Sequence, residues 1–265
     1  MIIDVNAYLG HWPFRQLRHN TVDGLLKLMD ENGIDKAMVS SINAIFYKNC
    51  HSGNEELATE AKTHQDRLIP FAALNPQYPG WEDDLKQCHE DFGMAGLRLF
   101  PHYHNYQLTS KSSLDMIHRA ADNGLVLSIP IRVVDRRQRH WLDSVSDLSV
   151  SDIGSVMKKC PEASFIILNG HGFHNSELVK DKKLKDRNFL IEISRMGVVL
   201  QEEIPKLISA IGPSKLAFGT GIPFKYPMPA LLKIQVLDAP EQVKEKIRWE
   251  NAARMLGLDA SCEDR

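Results

Sequence analysis

The sequence predicts a (β/α)₈ barrel, an α/β fold of one domain, on three observations. Eight short apolar runs recur along 265 residues, and each is followed by a segment of helical period. Several runs are apolar on both faces, as parallel strands covered by helices must be. No linker or low-complexity tract breaks residues 1–265, and the Gly-rich first turn of a doubly wound open sheet, the structural alternative, is missing. A 43% apolar content supplies one large core rather than two small ones.

The first strand is predicted over Ile2–Val5 and runs into Asn6-Ala7-Tyr8-Leu9-Gly10. Side chains two apart on a strand share a face, so Asn6 and Tyr8 project together from its end. His11-Trp12-Pro13-Phe14-Arg15 follows as an aromatic, basic loop. It suits the wall of a pocket, and equally internal packing or a subunit contact. The second strand is Ala37–Ser41. Ser52 with Glu55 fits a capping box ahead of a helix over Glu56–His64, before the third strand, Ile69–Leu74. Pro79-Gly80 opens the next helix, whose apolar stripe runs from Trp81 through Leu85 and Cys88 to the fourth strand, Gly96–Phe100. Thr109 and Ser110 precede a helix over Leu114–Ala121. Gly124 stops it before the fifth strand, Leu125–Ile131. Arg132–Ser151, rich in Arg, Asp and Ser, is the longest irregular stretch and reads as a lid over the catalytic face. The remaining strands are Phe165–Leu168, Phe189–Ile193 and Leu216–Phe218.

Charge narrows the partners. A formal net charge of −2 gives no electrostatic reason to expect nucleic acid or an anionic membrane surface. No apolar run approaches the roughly 20 residues that cross a bilayer, and no signal peptide is apparent at the N-terminus. Cys50, Cys88, Cys160 and Cys262 are far apart, so reduced thiols in a cytoplasmic protein are expected. Asp91-Phe92-Gly93 lacks the companion motifs of a kinase, Gly219-Thr220-Gly221 is too short for a P-loop, and a Gly-x-Ser-x-Gly elbow is absent.

Four segments carry a resemblance. Ile3-Asp4-Val5-Asn6-Ala7-Tyr8-Leu9-Gly10 aligns with Ile-Asp-x-His-x-His-x-Gly, and Gly93-Met94-Ala95-Gly96-Leu97-Arg98-Leu99-Phe100-Pro101 with Gly-x-x-Gly-(Val/Leu)-(Lys/Arg)-Leu-x-Pro. Leu216-Ala217-Phe218-Gly219-Thr220-Gly221-Ile222-Pro223 is similar to Leu-x-Phe-Gly-(Ser/Thr)-Asp-x-Pro. Asn251-Ala252-Ala253-Arg254-Met255-Leu256-Gly257-Leu258 is similar to Asn-Ala-x-Arg-Leu-(Leu/Phe)-Gly-Leu. In this order and spacing the chain resembles the amidohydrolase-related family of TIM-barrel metallohydrolases. The resemblance implies a barrel with its site at the C-terminal ends of the strands. It also implies that the family's ligand positions fall on Asn6, Tyr8, Pro130, Gly170 and Gly221. Zinc-type centres need three or four N, O or S donors. Proline and glycine side chains offer none, so no metal cofactor is expected, with a displaced divalent ion on His102, His104 or His171 as the alternative.

The expected site is therefore polar and cationic. Arg98 and Arg132 could grip a carboxylate bidentately, with Asn6, Trp12 and Asn169 completing the substrate contacts. Tyr8, His102 and His171 are the candidate proton donors and acceptors. The plain structural reading of Arg98 is an ion pair with Glu192 inside the barrel; that of the histidines is solvated loops. The function expected is metal-independent hydrolysis or decarboxylation of a small, anionic, carboxylated or carbonyl-containing substrate, with a homo-oligomer possible. The competing reading is an inactive barrel that binds a small molecule or a protein.

Overall fold

A computed structural model describes residues 1–258, so Cys262 lies outside the described residues. Eight parallel strands follow one another in chain order around the sheet: β1 (Ile3–Leu9), β2 (Lys36–Ser41), β3 (Leu68–Ala72), β4 (Gly96–Arg98), β5 (Val126–Pro130), β6 (Phe165–Leu168), β7 (Phe189–Glu192) and β8 (Leu216–Ala217). The segment through β8 closes on β1: Val5 N donates to Phe218 O at 3.0 Å and Tyr8 N to Ile222 O at 2.9 Å. This is the (β/α)₈ barrel expected. Among the described residues no helix is long and apolar enough to cross a membrane.

Two elements depart from expectation. β1 is longer than Ile2–Val5, and its pairing with β2 shifts register between Asp4 and Ala7. An extra residue in a strand reverses the facing of everything after it. Ile3 and Val5 consequently pack in the apolar barrel floor, while Tyr8 joins the aromatic layer above it. The helix placed at Glu56–His64 instead spans Cys50–Ala61; its cap is Asn49, which accepts from His51 N, rather than Ser52 with Glu55. An Asx side chain before the first turn satisfies an otherwise orphan amide, as Ser or Thr would.

The floor is sealed from below. Ala252 and Ala253 of the closing helix pack among Ile3, Met38, Phe71 and Leu190. Asn251 Nδ2 fixes that helix by donating to Pro213 O at 2.8 Å and Leu216 O at 2.9 Å. Residues 132–149 are irregular and bridge the opposite face, at the C-terminal ends of the strands. They reach Tyr103 through Asp143 (3.1 Å), Arg195 through Asp135 (2.6 Å) and Phe14 through a His140 stack at 5.9 Å.

Candidate functional site

The upper half of the barrel interior is polar. Asp4, Asn6, Arg98, Asn169 and Glu192 are all within 1% of complete burial. Arg98, at the end of β4, spends its guanidinium on the barrel itself. Nη1 donates to Ala7 O at 2.7 Å, Nη2 to Val5 O at 3.1 Å and Met38 O at 3.4 Å, and Nε to Ser128 Oγ at 3.2 Å. Its face stacks on the Tyr8 ring, 4.7 Å from the centroid. The expected ion pair with Glu192 is not made, and the guanidinium is wholly buried. The bulged β1 leaves carbonyls pointing inward, and the planar guanidinium satisfies them.

Glu192, at the end of β7, organises a second layer. Its Oε2 accepts from Asn6 Nδ2 (3.2 Å) and Asn169 N (3.0 Å), and Oε1 accepts from Ser194 N. Asn6 Nδ2 also reaches Asn169 Oδ1 at 3.1 Å. Asn169 Oδ1 accepts in addition from Lys225 Nζ at 3.4 Å, and the same amine donates to Ser194 Oγ at 3.0 Å. Lys225 follows β8 and bends back over the strand ends. Its stem passes beside Gly221, where a Cβ would be in ordinary contact, 3.4 Å from Lys225 Cδ and 3.6 Å from both Asn169 Oδ1 and Asn6 Nδ2. A longer side chain at 221 and the folded-back Lys225 would compete for one space. Burial lowers the Lys225 ammonium to about 8, against a partial restoring pull from Glu192.

Beneath this layer Asp4 Oδ1 accepts from Asn6 N (2.8 Å) and Thr220 N (3.0 Å), and its other oxygen accepts from Thr220 Oγ1. Burial dominates and raises the carboxyl from 3.8 to about 6. The folded protein therefore keeps a proton that the unfolded chain gives up between pH 3.8 and about 6, and stability falls as pH rises through that window. The size is of order 3 kcal/mol. Asp4→Asn keeps the Oδ1 acceptor and should flatten the slope, read as urea midpoints compared between pH 4 and 7.

The opening to solvent lies beside Lys225. A cleft of about 460 Å³, within the range of small-molecule sites, is lined by Arg15, Arg18, Ser194, Thr220, Phe224 and Lys225 among others. Directly above the barrel axis there is instead an aromatic plug. Tyr8 packs edge-on to Phe224 at 5.4 Å, and Trp12 packs on Phe224 at 5.0 Å and Phe46 at 5.1 Å. The Tyr8 hydroxyl is buried without a hydrogen-bond partner, and burial raises the phenol above its ordinary range.

The sequence-predicted residues are thus dispersed. Asn6 and Asn169 bond each other, and Asn169 also bonds the Lys225 amine. Tyr8 and Arg98 stack below it, closed off from solvent, and Trp12 backs Phe224 rather than lining the cleft. Arg132 pairs with Asp147 at 2.7 Å and borders a void of only about 20 Å³, too small for a ligand. His102 belongs to a different, cation-free cavity of about 740 Å³, where Nδ1 faces Ser146 O at 2.9 Å. His104 is held on Ala44 O at 3.2 Å, and His171 is exposed. These three histidines do not assemble into a displaced metal site. Among the described residues the group close enough to share an ion is His118, Cys160 and Glu162, on the outer helical layer. Arg15 lines the cleft, as the pocket-wall reading of the His11–Arg15 loop expects, whereas Lys225, Ser194 and Asp4 are site residues that the sequence does not single out. Their signal is a lysine one turn beyond Gly221, the position where the aspartate pattern is broken.

The family's ligand positions do not form a donor set. Asn6 offers one unpartnered Oδ1, Tyr8 faces Arg98, and Pro130, Gly170 and Gly221 offer no side-chain donor. A cationic amine beside them opposes a second cation.

No protein-family profile and no curated protein matches the sequence. Solved structures do. A Staphylococcus aureus protein assigned to the amidohydrolases superposes with a TM-score of 0.74 at 15% identity, over 97% of this chain and 99% of that one. The 2,6-dihydroxybenzoate decarboxylase from Rhizobium gives 0.74 at 18% identity over 97% and 99%. A dihydroxybenzoic acid decarboxylase from Polaromonas sp. JS666, with bound manganese and the inhibitor 2-nitroresorcinol, gives 0.75 at 18% over 97% and 97%. The chain shares the barrel fold of these proteins.

Proposed function

We propose that the protein is an amidohydrolase-fold enzyme that works without a divalent metal on a small carboxylated substrate, by hydrolysis or decarboxylation, in the cleft between Arg15, Arg18 and Lys225. One observation carries this reading: the Lys225 amine bonds Asn169, itself bonded to Asn6, and the lysine stem passes beside Gly221, three residues at or beside the positions that the resemblance aligns with metal ligands. A divalent ion in such a barrel polarises the substrate and neutralises developing charge. A fixed ammonium in a water-poor site can take over the second task. The two arginines supply the carboxylate grip that Arg98 and Arg132 cannot. The substrate class is also that of the decarboxylases whose fold this chain shares.

Calorimetric titration with benzoate tests the assignment. Binding is expected at one site and should weaken by about 1.5–3 kcal/mol in Arg15→Ala, the worth of a charged hydrogen bond. Neither EDTA nor added manganese should change it. Binding that requires manganese would overturn metal independence. Binding unaffected by Arg15→Ala would move the site elsewhere. Binding with no turnover of any carboxylated aromatic or oxo acid would favour the inactive, ligand-binding barrel.

A further inference from the structure

A lysine that serves only as a counter-ion is held against a carboxylate. Lys225 is not. Its Nζ donates to two neutral oxygens, Ser194 Oγ at 3.0 Å and Asn169 Oδ1 at 3.4 Å. Other cations stand close: Lys233 reaches the Ser194 carbonyl, and Arg195 bonds Asp135 at 2.6 Å. Two bonds leave the third N–H of the amine unspent, and Lys225 lines the cleft. A desolvated lysine among other cations, open to a ligand cavity, is the environment that makes an amine nucleophilic.

We propose that Lys225 attacks the carbonyl carbon of a small oxo acid and forms a Schiff base with it, the acid's carboxylate being held by Arg15 and Arg18 across the same cleft. This rests on the cleft being the substrate site, as argued above. The steps balance without metal or redox partner. The amine nitrogen bonds the carbonyl carbon, the carbonyl π pair moves to oxygen, and the amine proton follows it by way of Ser194 Oγ. The carbinolamine hydroxyl then leaves with a proton as water, and the C=N bond forms. For a 3-oxo acid, the protonated imine accepts the electron pair of the C–CO₂ bond. Carbon dioxide departs, the enamine takes a proton at carbon, and water hydrolyses the imine to release the ketone and free lysine. Thr220 provides the proton source on the cleft wall. Its hydroxyl donates to Asp4 and accepts from Ile222 N, so it serves as a relay: it turns its proton to the enamine carbon and takes one from the Asp4 carboxyl, which burial brings to about 6.

Borohydride trapping tests the proposal. The protein is incubated at pH 8 with pyruvate or acetoacetate, reduced, and mapped by peptide mass spectrometry, alongside Lys225→Arg, which keeps the charge but not the nucleophile. The expected result is one reduced adduct per chain, on the peptide carrying Lys225, and none at that site in Lys225→Arg, with benzoate binding followed in the wild-type protein. Labelling spread over surface lysines and unchanged by Lys225→Arg, with benzoate binding intact, would overturn the Schiff base and leave the carboxylate site standing. Absence of both labelling and benzoate binding in the wild-type protein would overturn the cleft assignment itself. Asp4→Asn gives a second readout: trapping persists, while acetoacetate decarboxylation slows and its pH profile loses the limb near pH 6. A profile unmoved by Asp4→Asn would remove Thr220 and Asp4 from the proton path.

Discussion

Arg98→Ala is expected to lower stability by about 3–5 kcal/mol, a large share of the 5–15 kcal/mol typical of a folded domain. The substitution strands three carbonyls, those of Val5, Ala7 and Met38, inside a barrel that water does not enter. Each buried acceptor left unpaired costs about 1–3 kcal/mol, and the vacated volume adds a cavity term. Tyr8 loses the cation stacked on its ring as well. Arg98→Lys should recover only part of the loss. One ammonium cannot spread its donors over carbonyls from two strands as a planar fork does. The measurement is a urea midpoint at constant slope, so that a change in stability is separated from a change in compactness. If Arg98→Ala stays within about 1 kcal/mol of wild type but fails to bind benzoate, Arg98 is a ligand group after all.

The barrel was legible because its determinants are local. Apolar runs such as Phe165–Leu168 and Phe189–Ile193 need no knowledge of their neighbours to be read as buried parallel strands. The loss of donors at Pro130, Gly170 and Gly221 was equally plain, since those side chains hold no chemistry. The replacement was not legible. The partners of Arg98 are backbone carbonyls, which carry no sequence signature, so a strand-end arginine reads as a ligand group or as half of an ion pair. The inward turn of those carbonyls depends on the shift between Asp4 and Ala7, which no residue type there announces. Glu192 was visible at its strand end. Its true partners, Asn6 and the Asn169 amide, lie far off in sequence and are brought close only by ring closure. Lys225 looks like any loop lysine until its stem is seen to pass beside Gly221.

The same reasoning makes Lys225→Met the sharpest test of how binding and stability trade against each other. The ordinary lysine value of 10.5 is lowered to about 8 by burial, so folding disfavours the charged form. Between those values the unfolded chain binds the proton that the folded protein releases, and stability rises with pH across the window. Below pH 8 the penalty is present in full. Methionine keeps most of the stem that packs beside Gly221 and carries no charge, so Lys225→Met should be more stable than wild type at pH 7 by about 1–3 kcal/mol. The gain should shrink as pH rises from 8 and be small near 10.5, where the folded lysine is neutral and the unfolded one half-neutral. Benzoate affinity should move the other way, weaker by about 1.5–3 kcal/mol at pH 7. Urea midpoints at pH 7 and 10.5, with calorimetry at pH 7, measure both. A variant that loses stability as well as affinity would mean that the bonds to Ser194 and Asn169 outweigh the desolvation of the amine, and that Lys225 is a structural strut. Opposite signs would mean that the fold carries a destabilising charge at the cleft wall, which only ligand binding or chemistry there repays.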